Sequence, residues 1–314
     1  MLPRHVVALG GGHGLAANLA ALRTVVSDLT AVVTVADNGG SSGRLRREFG
    51  CLPPGDLRMA LAALCGDDDW GTTWARVLQH RFESRGEMDQ HAVGNLLIVA
   101  LWDILDDTVG GLELVGRLLG AQGRVLPMSE TPLDIVASVL GLDADDPGAR
   151  TIVRGQAEVA STPGQVVSVR LDPREPPACP QAVAAIEAAD WVVLGPGSWF
   201  TSVLPHLLVP RLRTALTTTP GRRIVALNLE PQAGETDGFS PETHLEVLLD
   251  HAPELVCDVV LADESSVVDP DGLATSARSA GGRLVIADVA CDDGSPRHDP
   301  AKLAAAYARI MAET

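Results

Sequence analysis

Three glycines and a histidine interrupt an apolar run near the start of the chain. In "VALGGGHGLAAN" (6–17), Gly11, Gly12, His13 and Gly14 follow the strand-like Val6–Leu9 and lead into leucines and alanines with helical spacing. Bare backbone at a strand-to-helix turn lets a phosphate approach closely, and the unsatisfied N–H groups of the helix start meet its charge. Gly12 to Ala17 fits G-x-G-x-x-A. A P-loop is excluded, since no Lys-Ser/Thr pair follows to reach a terminal phosphate. Asp37 closes the next apolar run, about where a dinucleotide fold holds its ribose-binding acid. The diphosphate of NAD suits this pattern, and so does a tight turn without a ligand.

The residues after Asp37 depart from an ordinary dehydrogenase. Asn38, Gly39, Gly40, Ser41, Ser42 and Arg44 offer backbone donors, two hydroxyls and a guanidinium beside one carboxylate. This makes either a second anion-binding nest or a turn that caps a helix through Ser42. In "LPPGDLRMAL" (52–61), Asp56 is a good helix N-cap, and with Arg58 it adds a charged pair near the same edge. His91, Gly94 and Asn95 precede another apolar helix. Gly195, Pro196, Gly197 and Ser198 form a second strand-glycine-helix junction, which reads as further phosphate donors or as a turn with a serine cap. Asn228 closes a later strand, with Glu235 and Thr236 beyond it. Glu235 suits Mg²⁺, a sugar hydroxyl or the cap of a helix starting near Pro241. No serine sits in a G-x-S-x-G elbow, and no histidine pair has metal spacing. These residues suit binding more than nucleophilic attack.

Placing four such loops together requires a parallel sheet. Val6–Leu9, Ala31–Val35, Trp191–Leu194, Ile224–Asn228, Cys257–Leu261 and Leu284–Ile286 read as short apolar strands, most followed by a helical stretch. That alternation predicts an α/β fold, a Rossmann-like parallel sheet with helices on both faces. Helices are expected at Leu15–Val26, Asp56–Leu64, through most of 70–120, and at Ala301–Ala312. Between 123 and 172 the pattern changes to alternating runs broken by Pro and Gly, which predicts a small antiparallel β insertion within a single α/β domain spanning 1–314.

Composition narrows the partners. The chain has 314 residues and a formal net charge of −17, which argues against nucleic acid, since phosphate backbones need a basic stripe. Aromatic residues make up 3%, so the core must be built from Ala, Val and Leu. The five cysteines are scattered without a C-x-x-C pair, as expected of reduced thiols in a cytoplasm. Met1 to Val7 lacks the pattern of a secretory leader, and no apolar run reaches the length of a membrane span.

The ordered landmarks "VALGGGHGLAANLAALR", "VTVADNGGSSGRLRREFG", "LPPGDLRMALAAL", "HRFE", "HAVGNLLIVAL", "GPGSWFTSVLPHLLVP" and "GETDGFS", with Arg297-His298 near the end, resemble the YvcK family of gluconeogenesis factors, within the CofD-like superfamily. The resemblance implies a protein that binds a nucleotide diphosphate, a UDP-sugar such as UDP-N-acetylglucosamine, with no cofactor required and no established reaction. It also implies a regulatory role in gluconeogenic growth, peptidoglycan synthesis and cell shape, with a homodimer and a regulatory protein partner left open. On this reading Arg44 and main-chain donors hold the phosphates, Asp37 or Asn38 the ribose or sugar hydroxyls, and Arg297 a diphosphate or a sugar acid. CofD proteins themselves are transferases that move a phospholactyl group with Mg²⁺, so an enzyme of that type is the alternative, and NAD binding in the same cradle a third. Three positions depart from the family pattern. His13 replaces a small hydroxyl residue, Asn38 replaces a second aspartate, and 266–282 lacks an expected tyrosine.

Overall fold

A computed structural model of the chain describes residues 5–232 and 234–313. The expectation about a leader rests partly on residues 1–4, which lie outside the described residues. The first half runs β1 (His5–Gly10), α1 (Gly12–Leu22), β2 (Asp28–Val33), α2 (Gly40–Phe49), α3 (Gly55–Ala63), α4 (Asp69–Gln79), α5 (Val93–Leu105), α6 (Thr108–Leu119) and β3 (Arg124–Pro127). An excursion follows, made of β4 (Asp134–Leu140), β5 (Thr151–Arg154), α7 (Gln156–Ala160) and β6 (Gln165–Asp172). The chain then returns through α8 (Pro180–Glu187), β7 (Trp191–Leu194), a single π-turn (Trp199–Val203), α9 (Pro205–Leu208), α10 (Pro210–Thr218), β8 (Arg222–Ala226), α11 (Pro241–His251), β9 (Val259–Asp263), α12 (Pro270–Ser279), β10 (Arg283–Ala287) and α13 (Pro300–Ala312).

Seven strands form one all-parallel sheet in the order β10-β9-β8-β7-β1-β2-β3. Its central strands are buried along nearly their whole length, as a sheet covered on both faces requires. From β1 the chain steps outward to β2 and β3; from β7 it steps the other way to β8, β9 and β10. Right-handed crossovers therefore place α1 to α6 on one face and α8 to α12 on the other, while the last helix, α13, returns to pack on α1. Packing agrees, with α1 against α3, α8 against α10 and α11 against α12. The strand order reverses between β1 and β7. The carboxyl ends of these two strands flank the crevice where such sheets take ligands.

The antiparallel insertion is real but narrower than expected. Its sheet has the order β5-β4-β6, whereas Arg124–Pro127 pairs parallel with β2 and belongs to the main sheet. The run is four residues long and ends in proline, which leaves little pattern to mark it as a strand of the main sheet. Proline is tolerated there because β3 is an edge strand. The insertion docks on the exit of β2. Arg46 of α2 pairs with Asp134 of β4 at 2.7 Å, and Asn38 bonds to α7. Among the described residues, no helix is long and apolar enough to cross a membrane.

Candidate functional site

The two glycine junctions face each other across the strand-order reversal. α1 begins at Gly12, which adopts φ +59° and has open space where a side chain would project. Gly14 packs directly on the opposite loop; a Cβ there would stand 2.7 Å from the Pro196 carbonyl carbon and 2.8 Å from Gly197 Cα. The contact holds the helix start beside the end of β7. Asn228, just past β8, fixes the other side by a double amide clamp. Its Oδ1 accepts from the Gly197 N–H at 2.9 Å and its Nδ2 donates to the Gly197 carbonyl at 2.8 Å.

Between these turns lies a 630 Å³ cavity lined by His13, Gly14, Pro196, Gly197, Asn228 and Arg297, all flagged by sequence. It is also lined by His298 and by Gln232 and Cys291, which no sequence motif marks. Cys291 and Arg297 arrive on a tight loop after β10, closed by the Cys291 N–H donating to the Arg297 carbonyl at 2.9 Å. Asp263 at the end of β9 anchors that loop by accepting from the Val289 and Ala290 N–H groups. A pairing across this length of chain leaves no local periodicity to read. Only the "RH" pair of Arg297-His298 signalled it. Arg297 is exposed and pairs with Asp293 at 2.6 Å.

A second cluster forms beside the helix start. Asp56 is not the N-cap of α3; Pro54 takes that position, and no side chain caps it. Its carboxylate crosses instead to the N–H of Gly12. A side chain on Gly11 would meet Asp56 and Thr34. Asp37 lies close by, its Oδ1 accepting from the Gly39 N–H at 2.8 Å. Burial, then the charge of Asp37, push the Asp56 carboxyl up to about 7, against the opposing pull of the Gly12 N–H and of Arg58. Asp56 retains some exposed area, but protein surrounds its carboxylate.

A pH dependence follows from this. Between the ordinary value of 3.8 and about 7 the folded chain keeps this proton and the unfolded chain has lost it. The group's contribution to stability therefore falls as pH rises through that window, with a limiting slope of about 1.4 kcal/mol per pH unit. Asp56→Asn keeps an acceptor for Gly12 and cannot ionise. Its melting temperature relative to wild type should climb steadily from pH 4 to pH 7; a flat difference would exclude the buried proton.

Several expected phosphate or sugar contacts are committed elsewhere. Arg44 donates to the backbone carbonyls of Glu87 (3.0 Å) and Asp89 (2.5 Å), so it braces the 87–89 loop. The Asp37–Arg44 stretch is mostly helix. α2 starts at Gly40 with Gly39 as its cap, so Ser41 and Ser42 lie inside its first turn and Ser42 is no cap. Ser42 Oγ packs against Gly55. Ser41 Oγ meets His91 Nδ1 at 3.0 Å and accepts from Asn95 Nδ2 at 3.0 Å, both in the core. Arg58 turns away from Asp56 and donates to Asn95 Oδ1 at 2.9 Å and to Gln79. It pairs with no carboxylate among the described residues. Ser41, Asn95 and Arg58 thus form one buried polar network under the cleft. It includes a serine-histidine contact that the sequence reading did not foresee.

Asn38 is explained by the insertion. Its Nδ2 donates to Glu158 Oε2 at 2.7 Å and its Oδ1 accepts from the Ala157 N–H at 2.9 Å. An aspartate there would face the Glu158 carboxylate. Asn38→Asp should destabilise by about 1 kcal/mol for this partly exposed pair, and adding Glu158→Gln should recover most of it. Additive effects in the double-mutant cycle would refute the coupling.

Glu235 and Thr236 are also structural. Ser198 does cap the turn that follows it, accepting from the Thr201 N–H at 3.3 Å. Glu235 then fills the rest of that nest. It accepts from Ser198 Oγ at 2.6 Å, the Phe200 N–H at 2.8 Å and the Thr201 N–H at 3.0 Å. The helix near Pro241 is capped by Ser240, not Glu235. Thr236, fully buried, bonds back to Gln232. The second glycine junction therefore meets a carboxylate supplied by the protein itself; at the first, Asp56 meets the Gly12 N–H, and His13 and Gly14 line the cavity.

A family model described as 2-phospho-L-lactate transferase CofD matches residues 6–296. A Mycobacterium tuberculosis protein provisionally named a gluconeogenesis factor is 52% identical over 310 residues, covering 98% of this chain and 90% of its own length. The gluconeogenesis factor of Halalkalibacterium halodurans is 36% identical over 269 residues, covering 86% of this chain and 80% of its own. A crystal structure of a UPF0052 family member from Bacillus halodurans superposes with a TM-score of 0.85 at 32% identity, covering 96% of this chain and 98% of that one.

Proposed function

Because this chain belongs to the gluconeogenesis-factor (YvcK) branch of the CofD family, we propose that it is a regulator that binds a nucleotide-sugar, of the UDP-N-acetylglucosamine type, and links carbon metabolism to peptidoglycan synthesis and cell shape. One observation carries the binding part. His13 and Gly14 at the start of α1, the clamped Gly197 turn and Arg297 line one 630 Å³ cavity at the strand-order reversal. N–H groups at the start of a helix and one guanidinium suit a diphosphate, and the volume suits a nucleotide. In this reading the binding needs no cofactor.

The adjacent Asp37 and Asp56 favour a second reading, a CofD-type transferase moving a phospho-linked group to a hydroxyl acceptor. Their carboxylates are close enough for one charge to raise the other's pKa, the arrangement that a divalent ion relieves. They would hold Mg²⁺, which would neutralise diphosphate charge; Asn38, turned to Glu158, would not take part.

Thermal-shift titration separates these readings, using UDP-N-acetylglucosamine, UDP-N-acetylmuramic acid, GDP and NAD, each with and without Mg²⁺. A ligand at a hundred times its dissociation constant stabilises by about 2.7 kcal/mol, several degrees for this chain. Shifts with UDP-sugars that ignore Mg²⁺ are expected. A shift with GDP that requires Mg²⁺ would favour the transferase, and one with NAD alone would assign the cradle to a dinucleotide.

A further inference from the structure

A pocket of 300 Å³ opens where the ends of α2 and α5 meet the turn after β3, and it shares no lining residue with the 630 Å³ cavity. Its apolar wall contains the buried Leu52, Val99 and Trp102. The Trp102 indole N–H is already committed to the Thr108 carbonyl at 2.9 Å, so the ring offers the pocket its apolar surface alone. Phe49, the last residue of α2, also lines the pocket and is 55% exposed.

The charges around this apolar wall are all of one sign. Asp103, Asp106 and Glu130 line the pocket, and among the described residues none of their carboxylates has a hydrogen bond or an ion pair. Asp107 caps α6 through the Gly110 N–H and adds a fourth negative charge. No lysine or arginine lines the pocket. Asp103 lies in the last turn of α5 and Asp106 is its C-cap, and no basic residue stands in that turn. A helix C-terminus carries negative partial charge and favours cations. Carboxylates are gathered here where the backbone already repels them, a conflict of the kind that sequences retain chiefly at functional sites.

A guanidinium resolves this conflict. Its planar fork meets carboxylates from two sides while its face rests on aromatic and apolar surface; the compact, strongly hydrated charge of an ammonium does both less well. On the same turn of α5, Ile104 and Leu105 remain 73% and 43% exposed. An apolar rim around a desolvated arginine is how protein interfaces seat their anchor residues. A free small cation would leave that rim uncovered.

We infer that this pocket is a docking site for a partner protein that inserts an arginine flanked by apolar residues. The guanidinium meets Asp103, Asp106 and Glu130, and the flanking residues cover Phe49, Ile104 and Leu105.

The test is an NMR titration of the nitrogen-labelled whole chain, following the Trp102 indole N–H, identified by its loss in Trp102→Phe. The probes are the capped tripeptides Leu-Arg-Leu, Leu-Lys-Leu and Leu-citrulline-Leu. The arginine peptide should shift the Trp102 signal saturably and bind at least about fivefold more tightly than the lysine peptide. The citrulline peptide, which keeps the shape without the charge, should leave the signal in place. Asp103→Asn and Glu130→Gln should each weaken the arginine peptide by about fivefold. Asp103→Asn should also raise the melting temperature at low salt, because it removes one of the like charges at the end of α5. A Trp102 signal that no peptide moves, or one that the citrulline peptide moves equally, would overturn the site. Equal binding of the lysine peptide would overturn the guanidinium assignment. A lower melting temperature in Asp103→Asn would show that this carboxylate already serves the fold, and would overturn its role in docking.

Discussion

Gly14→Ala is expected to cost the protein about 3 kcal/mol, a fall of roughly 5–10 °C in melting temperature, together with its nucleotide affinity. The new methyl group would meet the carbonyl carbon of Pro196 and the Cα of Gly197, both backbone atoms. A flexible side chain could move aside, but a loop fixed at its other edge by Asn228 cannot move without breaking that clamp. Either α1 tilts away from the end of β7 or the loop leaves Asn228; both open the crevice. Gly12 is the contrasting case. Its φ of +59° is one that asparagine tolerates, and nothing stands within 4 Å of where its side chain would project. Gly12→Asn should therefore keep a near-wild-type melting temperature while its side chain occupies the phosphate position and binding falls at least about tenfold. The pair separates fold from function, as measured by unfolding and by titration with the same nucleotide. A Gly14→Ala protein that melts like wild type would refute the close approach, and a Gly12→Asn protein that binds normally would move the phosphates away from the helix start.

Removing the Glu235 carboxylate should cost as much or more. In Glu235→Ala the Phe200 and Thr201 N–H groups and the Ser198 hydroxyl lose their common acceptor inside the protein, at about 1–3 kcal/mol for each group left unsatisfied. A loss of about 4 kcal/mol in total is expected. Glu235→Gln, which keeps one carbonyl oxygen, should lose about half. The empty nest should then accept a small anion, so added acetate should raise the melting temperature of Glu235→Ala more than that of wild type. A mild Glu235→Ala variant indifferent to acetate would show that the donors find other partners. The prediction also tests the site assignment. If phosphate binds at Gly12–Gly14, nucleotide should still stabilise Glu235→Gln.

Much of the fold was legible because its signals are local. A strand of a parallel sheet buried on both faces is a short continuous apolar run, and a helix shows its period within a dozen residues. β1, β2, β7, β8, β9 and β10 therefore stood out, with boundaries displaced by a few residues. β3 was missed as a member of the sheet because four residues ending in proline carry too little pattern, although its partner β2 was clear. The Gly12–Gly14 turn was legible for the same reason: it is a local backbone motif and needs no distant partner to be recognised.

The occupants of the polar groups were not legible. The sequence alone determined that glycine turns sit at the ends of β1 and β7 and that the sheet is parallel. Only the tertiary structure decided which turn stays open. Glu235, 37 residues from Ser198, fills the second nest; Asn38 is held by Glu158, 120 residues away; Arg44 is spent on the 87–89 carbonyls. Each is a side chain with several partners of equal chemical merit, and which one it meets depends on how the sheet order and the insertion bring distant loops together. Backbone periodicity is written into neighbouring residues, whereas the pairing of charges is fixed only once the chain has closed.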